Sequence, residues 1–231
     1  PEVLAEELPP LVRSGHSSIK VFMTYEKTKI DDEQLLDVLT AARANNAFVC
    51  VHAENNGMLN WMGRRLVDRG YVAPKFHAVY HPRAAEVEAI HRLIAFAELI
   101  DQPVIVYHVS TAEGAAAIRA ARGRGLKVFG ETCPHYLLQS AEDLVLPGYE
   151  AARLMCSPPQ RTGADQDALV RLGRSRPRPD HVDPGAVVVE LHGEPEAGKR
   201  VAAVVLHLLP VRRIGRALTG DEHDVRFVTG R

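Results

Sequence analysis

Short apolar segments alternate with segments of helical periodicity through the first two thirds of the sequence, and this alternation limits the possible folds more than any other feature. The apolar segments are rich in Val, Ile and Phe and cover residues 19–23, 47–52, 104–108 and 126–129. Helical periodicity is strongest in residues 83–100. Strands that are apolar on both faces are typical of parallel sheets covered by helices. The sequence therefore predicts an α/β fold, either a doubly wound sheet or a TIM-type barrel.

The composition is that of an ordinary globular enzyme. The chain has 231 residues, of which 46% are hydrophobic and 25% charged, and a formal net charge of -1. We therefore expect a small-molecule ligand rather than nucleic acid or a membrane. No apolar run reaches the roughly 18 residues that a bilayer-spanning helix needs. Cys50, Cys133 and Cys156 form no CxxC pair, which argues against a disulfide framework or a cysteine zinc site and predicts a reducing, cytoplasmic setting.

Polar side chains stand at the carboxyl ends of the predicted strands, where parallel α/β folds carry their active sites. His52, His108 and Glu131 end three strands, Lys20 lies within the first strand, and Tyr25 follows it. One histidine in such a position is usually structural. Two at equivalent strand ends, with a lysine in a third strand, predict a metal site, because neutral imidazole is a common zinc ligand.

Lys20 stands in a predicted buried strand, which leaves two interpretations of its side chain. The amine extends to the mouth of the barrel or pairs with a carboxylate, because an unpaired buried ammonium is costly. Alternatively, burial favours the neutral amine, which adds carbon dioxide and gives a carbamate whose two oxygens bridge two metal ions. The residues alone leave both interpretations open.

Two later segments are weaker candidates. Glu131 and His135 either orient metal ligands or belong to a plain loop. Residues 155–159 (MCSPP) end a further strand in our prediction, and the proline pair favours an extended backbone around Ser157. The remaining histidines are predicted to be structural. Four of them are expected at loop or helix surfaces, namely His16, His77, His81 and His91.

Five short motifs stand in a fixed order between residues 12 and 172. They are residues 18–25 (SIKVFMTY), 51–55 (VHAEN), 108–110 (HVS), 130–137 (GETCPHYL) and 156–159 (CSPP). In order and spacing they resemble the hydantoinase/dihydropyrimidinase branch of the amidohydrolase superfamily. This resemblance implies a partial TIM-type (β/α) barrel and, for the whole protein, a homotetramer.

The resemblance also implies a role for each candidate residue. Lys20 would be a carboxylated lysine that bridges two divalent metal ions, usually Zn²⁺, and His52 and His108 would bind the second ion. Tyr25 would hydrogen-bond the substrate and stabilise the oxyanion, while the backbone at Ser157 would contact the cyclic imide. The implied reaction opens a hydantoin or a 5,6-dihydropyrimidine to an N-carbamoyl amino acid, with the ring carbonyl polarised by the metal.

Two alternatives to this activity stay open. Allantoinases and dihydroorotases have segments similar to Glu-Thr-Cys-Pro-His-Tyr, although the residues around Lys20 favour a hydantoinase. A non-catalytic homologue would keep the barrel for oligomer formation or partner binding, but the presence of Lys20, His52 and His108 argues against a decayed metal site.

The sequence departs from the family pattern at both ends. No His-x-His pair precedes Lys20, and Asp180-His181, near the position of an expected ligand aspartate, is not preceded by an apolar strand. Residues 171–231 hold ten Arg, one Lys and one aromatic residue. We therefore divide the chain into a central barrel part, 1–172, and an Arg-rich tail, 173–231, hypothesised to be out of frame. Under this hypothesis the chain alone is expected to be poorly active or inactive.

Overall fold

A computed structural model of the chain describes residues 2–147, 149–173 and 187–189. Its centre is a parallel sheet in the order β1-β2-β3-β4-β5. The strands are β1 Ser18–Phe22, β2 Phe48–His52, β3 Val104–Val106, β4 Val128–Thr132 and β5 Val187–Val189. Each strand pairs with the next one in sequence, without the reversal of order that a doubly wound sheet requires. The predicted TIM-type α/β architecture is therefore confirmed, as part of a barrel.

Helices connect and cover these strands. Two short helices, α1 and α2, precede β1, and further helices follow the strands in turn. In the described residues they are α1 Glu2–Glu6, α2 Leu8–Arg13, α3 Asp32–Ala44, α4 Asn56–Asp68, α5 His77–Tyr80, α6 Arg83–Ile100, α7 Ala112–Gly123, α8 Pro134–Leu138 and α9 Gly163–Gly173. Short 3₁₀ helices cover Pro74–Phe76, Ala141–Val145 and Glu150–Leu154.

The helix ends follow from local sequence chemistry. Asp31 and Gln34 form a reciprocal capping box at the start of α3, which satisfies backbone N–H groups that have no partner within the helix. The side chain of Thr111 caps α7 in the same way by accepting from the Gly114 amide. The periodic segment 83–100 forms α6 with the predicted limits and ends at Asp101, which adopts the left-handed conformation with φ 53°.

The two faces of the sheet differ in burial. Alternate valines of β2, β3 and β4 are fully buried beneath α3, α6 and α7, where they meet residues such as Leu39 and Leu93. Lys20, Cys50 and Ile105 are in register on neighbouring strands, and side chains in register point to the same face of a parallel sheet. On this face Lys20 is exposed. The expectation that Lys20 is buried was therefore wrong, although Cys50 on the same face of the sheet is only 3% exposed.

Other expectations have mixed outcomes. The segment 155–159 does not end a strand: residues Glu150–Leu154 before it form a 3₁₀ helix. Asp180-His181 lies outside the described residues. The three cysteines, all within the described residues, form no disulfide. Within the part of the chain that the structure describes, no helix has the length and apolar character to cross a bilayer.

Candidate functional site

Two histidines meet at the carboxyl ends of neighbouring strands. His52 is the last residue of β2, and His108 follows β3 by two residues. The Nδ1 atom of His52 lies 3.0 Å from the Nε2 atom of His108, and the ring centroids are 4.5 Å apart. His108 has a φ of 46°, which is strained for a residue with a β-carbon. The chain thus adopts an unfavourable backbone conformation at the point where this ring turns toward His52.

The other ring nitrogens of this pair have different surroundings. The Nε2 atom of His52 hydrogen-bonds Glu54 Oε2 at 2.8 Å, and Glu54 is fully buried. A carboxylate in this position fixes the tautomer and orientation of a metal-binding imidazole. The Nδ1 atom of His108 is buried and has no hydrogen-bond partner among the described residues. Burial, together with electrostatic interactions with His52 and Lys20, lowers the pKa of His108 to about 2, so its ring is neutral as metal ligation requires.

The facing nitrogens fit two ligands of one ion. Tetrahedral zinc with Zn–N bonds of about 2.0–2.1 Å separates two nitrogen ligands by roughly 3.3 Å, close to the 3.0 Å between these rings. The described residues hold no group of three or more His, Cys, Asp or Glu side chains arranged to bind a metal ion. The histidine pair therefore fits part of a coordination sphere.

Lys20 lies beside this pair. Its Nζ atom stands 3.8 Å from the centroid of the Tyr107 ring and 5.3 Å from that of Phe22, a cation–π arrangement. Lys20 is also one of the charges that lower the pKa of His108. Lys20 therefore acts electrostatically on His108, while its side chain remains accessible.

Tyr25 and Ser157 lie near His52 and His81. The rings of Tyr25 and His52 have centroids 4.9 Å apart, and Tyr25 adopts a φ of 71° just after β1. Burial raises the pKa of Tyr25 to about 12, although a side-chain hydrogen bond with Ser157 acts in the opposite direction. The Tyr25 hydroxyl is thus a proton donor throughout the physiological range, next to Ser157 and the histidines.

Glu54 and His81 belong to this cluster, and the sequence interpretation missed both. His81 Nδ1 hydrogen-bonds Glu54 Oε1 at 2.8 Å, and only 1% of His81 is exposed. Burial opposes ionisation of Glu54, but hydrogen bonds from His52 and His81 outweigh it and lower the pKa to about 2. The expectation of a surface position was wrong for His81. It was also wrong for His77, which is half-buried and bonds the Cys156 carbonyl at 2.6 Å.

A buried ion pair lies behind the site. Arg161 Nη2 is 3.2 Å from Glu86 Oε2, and both side chains are almost completely buried. Glu86 also accepts hydrogen bonds from the backbone amides and hydroxyls of Ser110 and Thr111. These bonds fix the loop that carries His108. Glu131 is buried at the end of β4 and accepts from the Cys133 thiol, so its role as an orienting group stays a prediction, as does that of His135.

Comparison with known proteins gives relatives of one kind. No protein-family model matches the sequence. The D-hydantoinase of Ralstonia pickettii is 38% identical over 165 residues, which cover 71% of this chain and 36% of that protein. The dihydropyrimidinase structure from Brevibacillus agri is 40% identical with a TM-score of 0.71, covering 73% of this chain and 37% of that one. A dihydroorotase structure from Campylobacter jejuni is 17% identical with a TM-score of 0.55, covering 84% and 49%, and is similar in fold alone.

Sequential parallel strands that cross over through helices, with histidines at the ends of β2 and β3, define a TIM-type barrel of the amidohydrolase kind. The chain spans a little over a third of the length of the hydantoinase-type relatives that it matches. Over that stretch the chain is similar in sequence and fold to members of the hydantoinase/dihydropyrimidinase family.

Proposed function

We propose that this chain forms the central part of a metal-dependent enzyme that hydrolyses a cyclic amide, with a hydantoin or a 5,6-dihydropyrimidine as substrate and an N-carbamoyl amino acid as product. The convergence of His52 Nδ1 and His108 Nε2 at 3.0 Å carries the proposal. Two imidazole nitrogens at this separation, each at the carboxyl end of a strand, suit a shared divalent ion.

In this proposal His52 and His108 would hold one of two divalent ions, with Zn²⁺ as the expected metal, and a carboxylated Lys20 would be the ligand shared by the two. A bound ion would polarise the ring carbonyl and acidify the attacking water. Lys20 is open to solvent, so dissolved carbon dioxide can reach its amine. The hydrogen bond that His52 Nε2–H donates to Glu54 Oε2 holds the His52 ring in the tautomer whose Nδ1 atom carries a lone pair toward His108 and the ion site.

Tyr25 and Ser157 act on the substrate. The Tyr25 hydroxyl, protonated because burial raises its pKa to about 12, donates to the carbonyl oxygen as negative charge develops there. The backbone at Ser157 contacts the imide edge of the ring. Both residues lie within one cluster around His52 and His81, which supports a substrate position above the histidine pair.

The proposal also covers the substrate type, oligomeric state, location and domain division of the whole protein. We infer a small-molecule substrate, a homotetramer and a cytoplasmic location. The location is supported by the three cysteines, none of which forms a disulfide in the described residues. We also keep the division into a barrel part, 1–172, and an Arg-rich tail, 173–231, with the hypothesis that the tail is out of frame. The pairing of Val187–Val189 with β4 opposes this hypothesis for that short segment of the tail. The DNA that encodes residues from 165 onward tests this division: another frame that encodes an apolar strand ending in Ser/Thr-Asp-His would support it.

A chimeric enzyme tests the activity. Residues 12–172 would replace the matching stretch of an active D-hydantoinase, and the purified chimera would be supplied with zinc and assayed on hydantoin, dihydrouracil, allantoin and dihydroorotate. We expect turnover of the first two substrates and loss of that turnover in His52→Ala and His108→Ala. His91→Ala, an exposed position on α6, is the matched control and should keep full activity.

The assay separates the alternatives by substrate. Turnover of allantoin or dihydroorotate without turnover of dihydrouracil would replace the proposed substrate class. A folded chimera that binds zinc but opens none of the four rings would support the non-catalytic alternative, in which the barrel serves oligomer formation or partner binding.

A further inference from the structure

His81 has a polar contact in each of three directions, although only 1% of its surface is exposed. Its Nδ1 atom bonds Glu54 Oε1 at 2.8 Å, and its Nε2 atom lies 3.4 Å from the Ser157 hydroxyl. Its carbonyl oxygen accepts from Arg161 Nη1 at 2.6 Å. Both the side chain and the backbone of His81 are therefore fixed, and each contact leads toward a different part of the candidate site.

The first direction leads to one metal-ligand candidate. Glu54 uses one oxygen for His81 and the other for His52, with both distances at 2.8 Å. A carboxylate shared by two imidazoles has its plane set by both partners. Because His52 turns its other nitrogen toward His108, the position of His81 determines how His52 Nδ1 is aimed.

The second direction leads to the loop of the other ligand candidate. Arg161 bonds the His81 carbonyl through Nη1 and the Ser110 hydroxyl through Nε at 3.0 Å. Ser110 lies two residues after His108. The backbone of His81 is thus tied to the segment that holds the strained His108 conformation.

The third direction leads to Ser157 and Tyr25, the residues that we propose to contact the substrate. Ser157 contacts His81 Nε2 and shares a side-chain hydrogen bond with Tyr25. One connected path therefore runs from Tyr25 and Ser157 through His81 and Glu54 to His52. Buried polar groups cost free energy unless they are paired, and this path pairs each of its members.

We propose that His81 is a positioning residue that couples the orientation of His52, through Glu54, to the position of Ser157. The proposal rests on the metal-dependent function given above. It does not give His81 contact with substrate or metal. Its role is to orient the His52 imidazole toward the ion and to hold Ser157 at a fixed position relative to that ion.

Cobalt affinity of the full chain tests this role, because Co²⁺ occupies zinc sites and its visible spectrum reports on coordination. We expect His81→Ala to lower Co²⁺ affinity by about 10–100-fold, the range found when groups that orient metal ligands are removed. His81→Asn has an amide nitrogen near the original Nδ1 position and should restore most of the affinity through Glu54. His81→Gln extends its amide toward Ser157 instead and should not.

A double-mutant cycle tests the coupling to Ser157. Ser157→Ala should lower Co²⁺ affinity in the wild-type background and have no further effect in His81→Ala. His91→Ala is the matched control for loss of an imidazole, and a thermal melt of each variant separates metal effects from loss of fold.

The outcomes separate this inference from the function on which it rests. Equal Co²⁺ affinity in wild type and His81→Ala would overturn the role of His81 alone. Equal affinity in His81→Asn and His81→Ala would overturn positioning through Glu54, and an unchanged effect of Ser157→Ala in both backgrounds would overturn the coupling. A wild-type chain that binds no Co²⁺ would overturn the proposed metal site and this inference with it.

Discussion

The Nδ1 atom of His52 and the Nε2 atom of His108 face each other at 3.0 Å across the ends of two adjacent strands. Strands β2 and β3 are paired in parallel register, so the two rings leave the sheet at the same edge. His52 is held by Glu54 on its far side. His108 leaves its second nitrogen without a partner among the described residues. The pair is thus fixed by one carboxylate and one strained backbone position.

Removal of either histidine ring should weaken metal binding more than removal of a residue that only orients the ring. His52→Ala and His108→Ala each delete a proposed ligand, so we expect Zn²⁺ affinity to fall by more than the roughly 10–100-fold that loss of an orienting group costs. Isothermal titration calorimetry on the full chain measures this change, with His91→Ala as control. Unaltered affinity in either variant would exclude that ring as a ligand.

Carboxylation of Lys20 should depend on dissolved carbon dioxide. Its amine is exposed and stands 3.8 Å from the centroid of the Tyr107 ring. In bicarbonate and zinc, native mass spectrometry should detect a mass increase of one carbon dioxide in the wild type and none in Lys20→Arg. Lys29→Arg, which changes a lysine paired with Glu26 at 3.1 Å on the surface, should keep the increase. The same increase in Lys20→Arg would refute the assignment.

The sequence predicted the fold better than the site. The limits of α6 followed from the stripe of Val87, Ile90 and Leu93, because helical periodicity is a local property of the chain. Glu54 could have been found, since residues two apart in an extended segment share one side and His52 was already a candidate. His81 could not, because its burial depends on Arg161, which is distant in sequence.

The sequence alone also could not predict that the Lys20 side chain is exposed. Its apolar neighbours Ile19 and Val21 correctly indicated a strand. Strand periodicity, however, says only that Lys20 faces the opposite side from these neighbours. Whether that side is covered depends on the rest of the barrel, which no local pattern specifies.

The ion pair between Glu86 and Arg161 should be the most sensitive structural contact near the site. Glu86→Gln would leave Arg161 buried without a countercharge and should lower the free energy of unfolding by about 3–5 kcal/mol. Glu98→Gln on the same helix breaks an exposed pair with Arg124 and should cost about 1 kcal/mol or less. Urea denaturation followed by circular dichroism measures both. If the two variants lost similar amounts of free energy of unfolding, the buried pair would not be the more sensitive contact.

Two glycines of α7 should respond oppositely to substitution by alanine. A β-carbon at Gly114 would stand 2.7 Å from Ile90 Cδ1 and 2.8 Å from Thr111 Oγ1, whereas one at Gly123 would meet nothing within 4 Å. We expect Gly114→Ala to destabilise by about 1–3 kcal/mol through overpacking. Gly123→Ala should stabilise by up to about 1 kcal/mol because alanine favours the helix. Thermal melts of the two variants would contradict this if they shifted in the same direction.

Asp165 should give the fold a defined acid sensitivity. Its side chain is 3% exposed and pairs with Arg83 Nη1 at 2.6 Å. It also accepts from the Ala112 amide at 3.0 Å and the Thr162 hydroxyl at 2.7 Å. Burial opposes its ionisation, but these hydrogen bonds outweigh burial and lower its pKa below the ordinary value of 3.8.

The sign of the pH effect follows from this shift. A carboxyl group with a lower pKa in the folded state stabilises the fold above the unfolded pKa, and this contribution is lost as pH falls through the folded value. Asp165→Asn should therefore cost about 2 kcal/mol at pH 7, as expected for lost hydrogen bonds to a charged group. The difference from wild type should shrink as pH falls below about 4. Denaturation curves from about pH 7 down to about pH 2 measure it, with Asp167→Asn, exposed on the same helix, as control. A difference that stayed constant with pH would show that the charge of Asp165 contributes nothing.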